Sequence, residues 1–85
     1  MKPPRLLNRL ASGGITNVRF SDMVGLLKAL GFTEARVSGS HHIFTHPGIP
    51  ELLNLQSVGG EAKPYQIRQS LRLIERYNLS LARKP

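Results

Sequence analysis

Residues 26–47, LLKALGFTEARVSGSHHIFTHP, decide the fold. Leu26, Leu27 and Leu30 extend an apolar stripe begun at Met23, at the three- and four-residue spacing of an amphipathic helix. Gly31 can take the left-handed conformation that ends such a helix. From Phe32 the periodicity changes: residues 32–38 alternate loosely, Gly39 and Ser40 offer a two-residue turn, and residues 41–45 read as a second strand. A helix therefore runs straight into a β-hairpin.

Upstream, Ser21 is the expected N-cap of that helix, with Asp22 in its first turn, where a negative charge suits the dipole. Residues 1–20 hold one short helix candidate, residues 5–12, whose Leu6, Leu7 and Leu10 share a face and whose place is an arm packed on the domain. Downstream, Pro47 and Pro50 lack amide protons, so HPGIP at residues 46–50 is expected to turn into a third strand over residues 51–56. A polar loop at residues 57–62 then leads to Pro64, a good first helical residue, and a closing helix to about Tyr77. Ile67, Leu71 and Ile74 line one side of it, and Arg68, Arg72 and Arg76 the other. The expected fold class is α+β: a three-stranded antiparallel sheet covered on one face by two helices, the other face open. The division is an arm at residues 1–20, a domain at 21–80 and a tail at 81–85.

Eighty-five residues suffice for one small core. The absence of cysteine rules out disulfides and thiolate zinc sites and fits a reducing compartment. Prolines and arginines interrupt the first residues too often for a signal peptide, and no later stretch is apolar enough to span a bilayer, so the expectation is a soluble, cytoplasmic chain without a membrane partner. Twelve Lys and Arg against five Asp and Glu give a net charge of +7, which implies an acidic partner: nucleic acid first, an acidic protein second.

The two adjacent histidines open the second strand. Alternation puts His41, Ile43 and Thr45 on one face and His42, Phe44 and His46 on the other. If the β-branched Ile43 packs against the helices, His42 and Phe44 belong to the open face and His41 to the rim. An exposed imidazole beside an exposed Phe can move a proton next to a base-stacking platform. RNA cleavage asks for that chemistry: a proton leaves the 2′-hydroxyl, the oxygen attacks the adjacent phosphate in line, and Lys or Arg stabilises the charge. No metal or other cofactor is called for. The competing reading is a strand with a polar start. A metal site is disfavoured, because His41 points away from His42 and His46 and no thiolate is present. Lys63 and Arg68, near the start of the closing helix, are the better phosphate contacts, while Arg72 and Arg76 fit a solvated helix face.

These residues resemble the HicA toxins, small mRNA interferases of type II toxin–antitoxin systems. The likeness lies in LLKALGF at 26–32, RVSGSHHIFTHP at 36–47 and KPYQIRQSLRLIERYNL at 63–79. The resemblance implies a double-stranded-RNA-binding-like α-β-β-β-α fold and a catalytic histidine on the strand after the Gly-Ser turn, placed at His42. Gly39, Ser40, His41, Phe44, Lys63 and Arg68 are counted as RNA-binding. The resemblance also implies mRNA as substrate and neutralisation by a HicB-type antitoxin. The N-terminal arm bears on antitoxin docking and leaves a homo-oligomer open, and the strand PGIPELLNLQ is less basic than is usual in that family. Two other functions stay in view: a non-catalytic RNA-binding module using the same face, and a protein-interaction domain for an acidic partner.

Overall fold

The computed structural model describes residues 1–81, so most of the tail assigned to residues 81–85 lies outside the described residues. Its elements are α1 (Pro3–Ala11), α2 (Phe20–Ala29), β1 (Thr33–Ser38), β2 (His41–His46), β3 (Ile49–Val58), β4 (Glu61–Ala62) and α3 (Pro64–Arg76). The fold is α+β, and its antiparallel sheet has the order β1-β2-β3-β4. The three expected strands are β1, β2 and β3, in the double-stranded-RNA-binding-like α-β-β-β-α arrangement, and the two residues of β4 add a short fourth strand at the sheet edge. Residues 57–62, expected as a loop, form a tight hairpin around Gly59 and Gly60, with Ser57 opposite Ala62 and Val58 opposite Glu61.

Helix α2 ends as its sequence requires. Gly31 has φ +99°, its N–H donates to Lys28 O at 3.0 Å, and the Phe32 N–H donates to Leu27 O at 3.0 Å. These two bonds make a Schellman motif, which satisfies carbonyls the helix would otherwise leave open. The start of α2 differs from expectation. Arg19, not Ser21, occupies the N-cap position, and no side chain caps the helix. The Phe20 N–H instead donates to Gly60 O at 2.9 Å, and the Ala62 N–H donates to Val18 O at 2.9 Å, so the chain entering α2 is zipped onto the β3–β4 hairpin. A tertiary hydrogen bond does the work of a side-chain cap.

The strand at β3 begins earlier than expected, at Ile49, with Pro50 inside it. The β2–β3 register is irregular between Phe44 and His46, and Pro50 has no cross-strand partner there, so its missing N–H leaves no rung unmade. A second irregularity, between Glu34 and Arg36 on β1, turns Glu34 onto the same face as Phe44 and Val37 onto the same face as His42.

The core lies between the sheet and the helices. Met23, Leu26 and Leu27 of α2, Phe44, Leu53 and Leu55 of the sheet, and Ile67, Leu73 and Ile74 of α3 are buried. The N-terminal arm belongs to this core, because Leu6 and Leu10 of α1 and the following Val18 are each 1% exposed. Arg9 Nη2 donates to Thr16 O at 2.6 Å and closes the loop between α1 and α2.

Candidate functional site

The pairing of β2 with β3 reverses the expected faces of the histidine strand. Leu55 lies opposite His42, Leu53 opposite Phe44 and Ile49 opposite His46, and all three of these β3 side chains are buried. His42, Phe44 and His46 therefore face the helices. His41 and Ile43, opposite Gln56 and Asn54, lie on the open face. The faces are the reverse of those expected because Phe44 carries a larger apolar surface than the β-branched Ile43 and gains more by burial. Phe44 is 0% exposed, so the base-stacking role assigned to it is withdrawn.

The three histidines have three different settings. His46 is fixed at both ring nitrogens: the Gly48 N–H donates to Nδ1 at 3.0 Å and Nε2 donates to Leu30 O at 3.2 Å. That pair of bonds sets the tautomer with the proton on Nε2. The ring also meets Phe32 edge-on at 5.0 Å, and a Cβ on Gly31 would lie 2.9 Å from Nε2. His46 pins the β2–β3 turn to the end of α2, a structural task.

His42 is half-buried at the rim of the inner face. Its Nδ1 donates to Glu34 Oε2 at 2.7 Å, and its ring lies 4.6 Å from that of Phe20. The β1 irregularity aims Glu34 at this imidazole. The arrangement fixes the ring at Nδ1 and leaves Nε2 without a partner among the described residues. Neither Glu34 nor Phe20 was singled out from the sequence, because their meeting with His42 depends on that irregularity and on the zipped entry to α2.

His41 is exposed. Its Nδ1 lies 3.3 to 3.4 Å from the side-chain amide of Asn54, a long contact that restrains the ring without enclosing it. The turn before it is held from β3: the Ser57 N–H donates to Ser40 O at 3.0 Å, and Gln56 Nε2 reaches Ser40 Oγ at 3.4 Å. Gly39 takes φ +60° at the first turn position, a conformation that glycine adopts without a Cβ clash.

The predicted phosphate contacts lie at the head of α3. Lys63 is the N-cap residue and Arg68 an exposed residue in the second turn. Between them, the buried side chain of Gln66 accepts the Gln56 N–H through Oε1 at 2.6 Å. Gln56 is the cross-strand partner of His41, so one hydrogen bond ties the helix that carries Lys63 and Arg68 to the strand flanking the exposed imidazole.

Away from this region, Glu51 accepts hydrogen bonds from Tyr77 Oη at 2.5 Å and from Arg76 Nη1 at 3.0 Å. The Tyr77 hydrogen bond, with help from Arg76, holds the Glu51 carboxyl below the usual carboxylate range, and the same bond to Glu51 raises the Tyr77 phenol. The group fastens the end of α3 to β3. Among the described residues, no group of three His, Asp or Glu is arranged to hold a metal ion, and no helix is long and apolar enough to cross a membrane.

A family model described as HicA toxin of bacterial toxin–antitoxin matches residues 20–75. No curated protein and no solved structure matches the chain.

Proposed function

The chain belongs to the HicA family of bacterial toxin–antitoxin systems, and from that premise we propose that it is an endoribonuclease cleaving mRNA by histidine acid/base chemistry without a metal. Its place of action is the cytoplasm, and its inhibitor is a HicB-type antitoxin. The observation that carries the catalytic assignment is the setting of His41: an exposed imidazole on the helix-free face of the sheet, beside the Gly39–Ser40 turn and opposite Gln56.

In this reading His41 takes the proton of a ribose 2′-hydroxyl as that oxygen attacks the adjacent phosphorus. The bond from phosphorus to the 5′-oxygen breaks. The leaving oxygen collects a proton from the imidazolium or from water, giving a 2′,3′-cyclic phosphate and a 5′-hydroxyl end. Lys63 and Arg68 offset the charge on the phosphate, and the Gly39–Ser40 turn lets the backbone approach it.

A second reading keeps His42 as the acid/base, and one observation favours it: the carboxylate of Glu34 orients its ring, as a catalytic imidazole needs. Cleavage of a labelled mRNA in EDTA separates the two. His41→Ala should lower the rate by about 10²- to 10⁴-fold, the range of a lost general acid/base. His42→Ala should retain most of the activity of whatever fraction stays folded. The reverse pattern moves the chemistry to His42, and cleavage by neither variant nor wild type removes the nuclease assignment.

A further inference from the structure

With Phe44 buried, the open face has no aromatic platform from β2, yet the chain carries an exposed aromatic at the head of α3. Tyr65, the second residue of α3, is 49% exposed. Its hydroxyl receives a hydrogen bond from Gln66 Nε2 at 3.3 Å, and the Lys63 ammonium lies over its ring at 5.9 Å from the centroid. Gln66 is only 2% exposed, and its other amide atom, Oε1, is the acceptor for the Gln56 N–H. Tyr65 is therefore tethered, through one buried amide, to the residue that faces His41 across the sheet.

We infer that Tyr65 and Lys63 form a nucleotide subsite for the RNA strand, in which the Tyr65 ring stacks on a base flanking the scissile phosphate and Lys63 meets the neighbouring phosphate. The inference rests on the nuclease reading above. An exposed aromatic next to a cation is the pairing that single-stranded nucleic acid uses: a π-face for the base and a positive charge for the backbone. Holding the ring by its hydroxyl lowers the ordering that stacking requires on binding. The subsite sits at the sheet margin rather than on the strand where the sequence placed it.

The test uses a single-stranded RNA in which 2′-deoxy positions block cleavage, and a Tyr77→Phe background, which leaves Tyr65 as the only tyrosine of a chain without tryptophan. Addition of this RNA should quench the tyrosine emission. In the native background Tyr65→Ala should weaken affinity by about 5- to 150-fold, the span of one lost base-stacking contact, whereas Tyr65→Phe should keep most of it. With cleavable RNA the Tyr65→Ala loss should fall mainly on KM. An unquenched emission, or a Tyr65→Ala protein that binds and cuts as wild type does while wild type is active, overturns the subsite alone. Unchanged RNA affinity with weakened antitoxin binding overturns it too and gives the surface to the protein partner. A wild type with no affinity for RNA overturns both the subsite and the function on which it rests.

Discussion

The two faces of β2 use the same residue type in opposite ways. Inward, His46 has both ring nitrogens engaged and His42 has a carboxylate and an aromatic ring against it. Outward, His41 has one long contact to Asn54 and is otherwise exposed. His46, bonded at both ring nitrogens, serves as a rivet; His42 is held at Nδ1 alone and half-buried; His41, exposed and loosely held, can exchange protons. Side-chain alternation alone separates the two faces, so neighbouring histidines diverge in role by a single step along the strand.

The largest expected effect that tests this contrast is on catalysis. His41→Ala should remove about 10²- to 10⁴-fold of mRNA cleavage while leaving the urea midpoint near wild type, because an exposed side chain contributes little packing. A protein that loses its midpoint together with its activity would break the contrast. Next comes the apolar pair on the same strand. Phe44→Ala should destabilise by about 3 to 5 kcal/mol, and Ile43→Ala on the outer face by about 1 kcal/mol, both read from urea unfolding. Equal losses would mean that the faces are not distinct. A smaller change sharpens the account of His42: Glu34→Gln exchanges a carboxylate acceptor for an amide and should destabilise by about 1 kcal/mol with cleavage largely retained. If cleavage falls with it by orders of magnitude, His42 is the acid/base after all.

The smallest effect lies far from the histidines and acts as their control. Glu51 has a lowered carboxyl in the folded chain, so it contributes stability that is present above its unfolded value and lost as pH falls through the folded one. Tyr77 is raised, so its contribution is present below its unfolded value and lost as pH rises through the folded one. Tyr77→Phe should therefore flatten both the acid limb, below about pH 5, and the alkaline limb of a stability-against-pH curve, without changing cleavage at neutral pH.

The sequence made the elements legible where local chemistry decides them. Gly31 stops α2, Pro64 begins α3, and Gly39–Ser40 turns β1 into β2. It was misleading where tertiary contacts decide. Ser21 is a better capping residue than Arg19, yet the helix starts at Phe20 because a carbonyl from the distant Gly60 satisfies the Phe20 N–H. The two residues of β4 are too few to show alternation. The faces of β2 were within reach by another route: Leu53 and Leu55 flank the polar Asn54 on β3, and pairing across the Pro47–Gly48 turn carries their inward parity back to Phe44 and His42. At the candidate site, the histidine pair and the basic residues could be read from local pattern. Glu34, Phe20 and Tyr65 could not, since each acquires its meaning from a partner in another element.

The zipping of residues 18–20 onto residues 60–62 also shapes how the chain folds. Every named strand pairs with its neighbour in sequence, so the sheet can grow hairpin by hairpin, each step closing only a short loop. The contacts of Val18 and Phe20 with the last hairpin instead close a loop of about forty residues and must wait for β4 to exist. Assembly then has a natural order, with the hairpin bearing His41 early and the arm late. On unfolding, the arm should open first, so the amides of residues 18–20 should exchange with solvent sooner than those of the central hairpin.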